Sequence, residues 1–342
     1  MPSFPYIFMF SSSLVLSSLM ALSSTQWIIM WCFMELNLFS FIPLMSLTAS
    51  YQEIEASIKY FLAQAVGSSL FILAFFSSLT PFYQLNNYMI FVLIISSLFL
   101  KLGVAPFHFW FPQVMQSISW PLAFILSSWQ KIIPLFIIIS LNFHSMLYFF
   151  TLFGPLSALI GGWGGLNQSQ LRPLLAYSSI GHLGWIISSF ILSSSISILY
   201  FLIYICVITP LILIFMFFSI FSVKFLSNSL SSKMIMILCF LFLSLGGLPP
   251  LMGFFPKFLI IILLSKMLLI LIPMLMGSLM NIYYYLMIMN TLFISSFSNS
   301  PSPMKLKMSL YNLLNFLFVS SPLFIIPSLL TLIYAMIIFY KS

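Results

Sequence analysis

Four ionisable side chains stand where an apolar chain tolerates them least: Glu35, Lys101, Lys131 and Lys257. Glu35 sits in WIIMWCFMELNLFSFIP, eight residues after Trp27 and eight before Pro43. At about 1.5 Å per residue that is about 12 Å from either end of an apolar helix, the middle of a bilayer. Lys101 comes thirteen residues after Tyr88, Lys131 ten after Pro121, and Lys257 lies in the second half of a long apolar segment. A charge at that depth costs about 2.5–3.5 kcal/mol on insertion scales. A lysine stem reaches ~6 Å, roughly half of what snorkelling from the midplane needs. The chemistry that such a set supports is proton relay. A low-dielectric surrounding disfavours an ammonium and a nearby carboxylate favours it, so moving or neutralising the carboxylate releases the proton. Glu35 with Lys101 is the pair to which the sequence points, with Lys131 and then Lys257 continuing a hydrated path along the midplane.

The remaining polar groups exclude other chemistries. His182, in YSSIGHLGWIIS, titrates near neutrality and is a relay candidate, although a lone histidine among apolar neighbours is more often hydrogen-bonded core. His108 follows the interruption after Lys101 and is placed to share its cavity, whereas His144 lies in a loop and is expected to be exposed. Three unpaired histidines do not supply the facing ligands of b-type haems. Cys32, Cys206 and Cys239 have no CxxC spacing, which rules out a cysteine-built zinc or iron–sulfur site and leaves inert core thiols. Lys59 follows Glu55 by four residues, an i,i+4 surface pair, and Glu53 is expected at the interface too. GGWGG (161–165) follows no strand, so it reads as close helix packing rather than a dinucleotide fingerprint. With no phosphate loop, nucleophile elbow or metal motif, no cofactor is expected in this chain.

The elements that must hold these groups are interrupted helices. LFLKLGVAPFHFW (98–110) returns as LFLSLGGLPP (241–250), each with Gly and Pro inside a long apolar run. Proline removes one backbone hydrogen bond and obstructs another, so polar backbone freed at membrane depth must line a cavity or pack on protein. Interrupted spans in corresponding halves are a pointer to an ion path. The composition is 62% hydrophobic and 4% charged, with no Asp, which sets an all-α integral membrane protein. Eleven spans are expected, at roughly 4–24, 26–48, 55–79, 88–117, 121–143, 146–165, 173–192, 196–222, 234–265, 267–293 and 318–340. The repeat offset of 143 residues crosses five spans, an odd number, so the repeats are inverted. A weaker echo, YFL at Tyr60 and Tyr200, has an offset of 140. The chain then forms one membrane domain: a first five-helix repeat (4–143), a second (146–293) and an additional C-terminal helix (318–340).

The net charge of +8 comes from singly scattered basic residues and gives no nucleic-acid surface. Placing the amino terminus on one side puts Arg172, Lys224, Lys233, Lys305 and Lys307 there, against Lys266 and Lys341 opposite. By the positive-inside rule the five-residue side faces the cytoplasm or matrix. It is also a place for anionic lipid head groups. MPSFPYIFMF lacks a positive n-region, so no cleavable targeting peptide is expected.

MELNLFSFIPLM (34–45), EASIKYFLAQA (55–65), LKLGVAPFHFWFPQVM (100–115), SWQKIIP (128–134), GGLNQSQLRPLLAYSSIGHLGW (164–185) and GGLPPLMGFFPKF (246–258) run in order over nearly the whole chain. On these motifs the chain resembles the antiporter-like family of respiratory complex I, mitochondrial NADH:ubiquinone oxidoreductase, in its subunit 2 form. The resemblance implies a membrane-arm subunit with the animal complement of eleven spans, in the mitochondrial inner membrane, amino terminus to the matrix and carboxyl terminus to the intermembrane space. It assigns proton transfer to Glu35, Lys101, Lys131 and Lys257. It places NADH, FMN, iron–sulfur clusters and ubiquinone in other subunits. As partners it implies the other membrane-arm and accessory subunits and phospholipids such as cardiolipin, with no nucleic acid and no homo-oligomer. The family often has Asn before the His of HLGW, where this chain has Gly181.

Two alternatives remain at this stage, a free-standing cation/proton antiporter and a structural subunit whose buried charges fix helix register. A metal cation wants several oxygens, and only one midplane carboxylate is present. A register device needs one or two buried polar groups rather than four. Migration only within a megadalton assembly would separate a complex subunit from a free antiporter.

Overall fold

The computed structural model describes residues 3–47, 50–79, 87–141, 147–219, 222, 232–249 and 251–298. The proposed C-terminal span 318–340, His144, Lys224, Lys305, Lys307 and Lys341 lie outside the described residues. The described chain is a helical bundle: α1 (Ser3–Ser23), α2 (Trp27–Met45), α3 (Tyr51–Leu79), α4 (Asn87–Leu102), α5 (Trp110–Ser117), α6 (Trp120–Ser127), α7 (Ile132–Ser140), α8 (Leu147–Leu166), α9 (Leu171–Ser189), α10 (Ser194–Phe217), α11 (Ser232–Gly246), α12 (Phe254–Leu263) and α13 (Leu268–Ser298). Seven of these described segments are long and apolar enough to cross a membrane, with α6 and α7 counted together as one. Three shorter apolar helices, Tyr88–Leu102, Met234–Gly246 and Phe254–Leu263, are pieces of the two interrupted runs.

α9 explains why a hydropathy count and a span count differ. Every residue from Leu171 to Ser189 is buried except Arg172 and Tyr177. It therefore faces protein on all sides and carries Ser178, Ser179, His182, Ser188 and Ser189 inside the bundle. The glycine run of α8 packs against it as expected. A Cβ on Gly161 would lie 2.4 Å from the Gly181 nitrogen, and one on Gly162 would lie 2.7 Å from the Gly277 carbonyl of α13. Small residues let these backbones approach, which is how helices associate where lipid offers no hydrophobic drive.

The span expected over 121–143 is present as one apolar segment, Trp120–Ser140, but its helix is interrupted. α6 ends at Ser127, a 3-10 turn occupies Trp129–Lys131, and α7 begins at Ile132. Pro134 lies four residues after Gln130, so it has no N–H for that carbonyl, and its ring crowds the same oxygen. The helix tightens there, and Lys131 is in the turn.

Two further expectations shift. Cys239 is buried, but Cys32 and Cys206 are exposed on outward helix faces rather than in the core. Glu53, in the first turn of α3, is 8% exposed, so protein covers it there. Its charge acts on Arg172, whose guanidinium donates to the Ile118 carbonyl. Gln170 and Ser222 form an isolated antiparallel bridge. These residues, from four separate segments, gather at one end of the bundle. Lys59 and Glu55 pair at 2.7 Å, both half out of the protein, as their spacing predicts.

Candidate functional site

The first interruption begins where Gly103 adopts φ 73°, a left-handed conformation that side chains resist. Val104 N then donates back to the Phe99 carbonyl at 3.0 Å, and Gly103 N to Leu100 at 3.2 Å, a Schellman-type stop. Neutral side chains supply further donors here. Trp110 Nε1 reaches Leu100 O at 3.0 Å and Gln64 Nε2 reaches Lys101 O at 3.3 Å. Backbone satisfaction at this break therefore does not involve the lysine ammonium. Lys101 is buried, its stem lies over Gly67, and its Nζ donates to the Met34 sulfur at 3.6 Å, a weak acceptor.

Glu35 is half-buried, and its Oε1 is enclosed with no hydrogen-bond partner. No ion pair joins it to Lys101. The carboxylate nonetheless acts electrostatically on both Lys101 and Tyr60. The two members of the expected pair share a neighbourhood without touching, with Met34 on the ammonium.

Lys131 is 2% exposed, and its Nζ has no hydrogen-bond partner. It lies over the rings of Phe111 at 5.0 Å and Tyr204 at 5.4 Å, within cation–π range. Lys101 and Lys131 share a cavity of about 10 Å³ whose wall includes Tyr60, Gln64, Trp110 and Gln130, on the order of one water molecule. His108, expected there, is turned away: its Nδ1 contacts Pro106 O at 3.2 Å and its ring lies on Phe109.

The second interruption stops in the same way. Gly247 has φ 81°, its N–H bonds Leu243 O at 3.0 Å, and Leu248 N returns to Leu243 O at 3.2 Å. Lys257, four residues into the next stretch of helix from Gly253, reaches back so that its Nζ donates to Gly246 O at 2.7 Å. It is 4% exposed. A second cavity, also about 10 Å³, is walled by His182, Tyr200, Tyr204, Ser244, Gly253 and Pro256 among others. His182 Nδ1 and the Tyr200 hydroxyl are 2.9 Å apart, and its Nε2 is buried without a partner. The charges of Lys257 and Lys131 both act on His182.

Sequence reasoning missed the tyrosines. Tyr60, Tyr200, Tyr204, Tyr284 and Tyr285 are all fully or nearly fully buried. Asn281 was missed too: its Nδ2 would lie 2.8 Å from a Cβ on Gly181, so α13 supplies a buried amide against that glycine. A buried tyrosine or asparagine in an apolar run was the available signal, since such groups are costly without partners. Among the described residues no group of three or more His, Cys, Asp or Glu is arranged to hold a metal ion.

The family described as NADH:quinone oxidoreductase/Mrp antiporter, transmembrane, matches residues 24–282. The NADH-ubiquinone oxidoreductase chain 2 of Lumbricus terrestris is 44% identical over 300 residues, covering 86% of this chain and 87% of the relative. That of Dugong dugon is 38% identical over 310 residues, covering 88% of each. The structure of respiratory complex I from Thermus thermophilus with bound aureothin contains a chain that matches with a TM-score of 0.77 at 22% identity. That match covers 95% of this chain and 78% of the other, and it shows the antiporter-like fold.

Proposed function

The chain belongs to the NADH:quinone oxidoreductase/Mrp antiporter transmembrane family, as a chain 2 subunit of NADH-ubiquinone oxidoreductase, and from this premise we propose that Glu35, Lys101, Lys131 and Lys257 carry its share of proton translocation. It is a multi-pass, antiporter-like membrane subunit of respiratory complex I, and its likeness to the chain 2 subunits of animals supports the mitochondrial inner membrane as its site. The reading of the residues rests on one observation above all. Three lysines buried to 8%, 2% and 4% exposure follow one another through the bundle, with a cavity walled by the first two and His182 within the field of the last two.

In this reading Glu35 controls the first site. When the carboxylate is charged it favours the ammonium of Lys101; when it is neutralised or moves, the proton passes through the shared cavity to Lys131. Lys131 has no hydrogen bond to surrender, so a proton leaves or arrives there without first breaking one. Lys257 keeps one N–H on the Gly246 carbonyl, and its other two ammonium hydrogens are the ones free to exchange. His182 acts as an intermediate carrier between Lys131 and Lys257. The electron carriers, NADH, FMN, iron–sulfur clusters and ubiquinone, belong to other subunits.

The same reading takes 4–143 and 146–293 as two inverted halves with 318–340 added, eleven spans in all. The matching Schellman stops at Gly103 and Gly247 support it. The amino terminus faces the matrix, on the side that carries Arg172 and the basic loops, where anionic lipids such as cardiolipin would bind, and protons move from matrix to intermembrane space. The other membrane-arm and accessory subunits are the protein partners.

Proton pumping alongside NADH oxidation, measured on the assembled complex in proteoliposomes, tests this with Lys101→Met. Pumping and coupled turnover should fall by about 10-fold or more while assembly is kept. Unchanged pumping in an intact complex would remove Lys101 from the relay.

A further inference from the structure

Between Lys131 and His182 stands a side chain to which neither composition nor motif drew attention. Tyr204, on α10, is 3% exposed, its ring lies 5.4 Å from Lys131 Nζ, and its ring centroid is 5.1 Å from that of His182. It also walls the second cavity together with His182 and Tyr200. Its hydroxyl is buried and has no partner at hydrogen-bond distance. Ser127 and Ser179 stand beside it at longer range, and each already donates its own hydrogen to a backbone carbonyl, Phe124 O at 3.1 Å and Ala176 O at 2.8 Å. Those serine oxygens remain acceptors only. A buried phenol left unpaired has given up its hydrogen bonds to water without replacement, so a group like this is retained at a cost to stability.

We propose that the Tyr204 hydroxyl is the proton-handling junction between Lys131 and His182, a step within the lysine relay on which this inference rests. The transfer balances as a hop. The Lys131 ammonium gives a proton, directly or through one water, to the Tyr204 oxygen while the original hydroxyl hydrogen passes on to His182. Lys131 becomes neutral, His182 becomes imidazolium, and the phenol is regenerated. The Leu245 backbone stands by the His182 ring at longer range, and in the tautomer whose Nδ1–H donates to the Tyr200 oxygen, Nε2, with no partner at hydrogen-bond distance, presents the lone pair that receives the proton. Tyrosine suits the place because its hydroxyl both accepts and donates while its ring holds the cation before the hop.

The test uses the assembled complex in proteoliposomes. Tyr204→Phe keeps the ring, and with it the contacts to Lys131 and His182, and removes only a hydroxyl that makes no hydrogen bond. Coupled turnover and pumping should fall by about 10-fold, less than the 10²–10⁴ typical of a lost acid–base group because water bridges part of the gap. Electron transfer from NADH to an artificial acceptor and the amount of assembled complex should stay at the native level. Tyr204→His restores a group that both accepts and donates a proton and should pump above the Phe level; a His variant no better than Phe overturns the proposal. Native pumping in Tyr204→Phe beside a loss in Lys131→Met sinks this inference alone. Native pumping in both variants sinks the lysine relay beneath it.

Discussion

The α4/α5 and α11/α12 interruptions are built from related sequence and end in the same backbone turn, yet they treat their lysines in opposite ways. Before the first break, neutral side chains from elsewhere, Gln64 and Trp110, occupy the carbonyls that helix termination frees. Lys101 is left with a sulfur and the field of Glu35. After the second break the lysine itself binds the freed carbonyl, Gly246 O, at 2.7 Å. A cation on the last carbonyls of a helix is also favoured by the helix dipole. One break thus leaves its ammonium weakly held beside a carboxylate, and the other docks it on backbone. Two copies of one motif need not hold the same charge state with the same strength.

The comparison is broken first at Gly253. A Cβ there would lie 1.8 Å from Ser244 O, whereas the position 143 residues earlier is Trp110, which needs no such approach. Gly253→Ala should destabilise the second break by about 3 kcal/mol, read as a lowered melting temperature of the purified complex or loss of its assembly. A native melting temperature would mean that the close approach of α12 to Ser244 is not needed.

Smaller in effect is the contrast between Lys257→Met and Lys101→Met. Each removes one buried ammonium, but Lys257→Met alone strands a carbonyl. It should leave the complex about 1–3 kcal/mol less stable than Lys101→Met does, measured by the same melt. Equal melting temperatures would show that the Gly246 contact does not distinguish the two breaks.

The smallest effect is expected from Met34→Leu. The swap nearly conserves volume and should change stability by less than about 1.5 kcal/mol. Pumping should hold near the native rate, because the sulfur is a weak acceptor. A large pumping loss with normal assembly would show that the thioether positions Lys101, which the first break otherwise leaves free.

Much of the site was legible because a bilayer is an unforgiving solvent. Lys101, Lys131 and Lys257 stood out by depth, and all three are buried. The breaks at Gly103 and Gly247 were announced by Gly and Pro in apolar runs. The break before α7 was announced by Pro134 as well, but its effect falls four residues upstream, on the turn that contains Lys131, and a span count hides it. The burial of Glu53 was not legible locally, because the residue on which its charge acts, Arg172, is more than a hundred residues away. Cys32 and Cys206 were misplaced because an apolar stretch says nothing about which face looks at lipid.

By itself the sequence determined that the chain is helical and membrane-embedded, that its helices break in two related places, and which charges lie deep. Those follow from local costs: an unpaired backbone group or an uncompensated charge is expensive in hydrocarbon wherever the rest of the chain goes. Only the tertiary structure decided that Met34 rather than Glu35 touches Lys101, that Lys257 binds Gly246 O, and that Tyr204 stands between Lys131 and His182. These are contacts between separate helices, set by how the helices pack in three dimensions, and no local pattern encodes them.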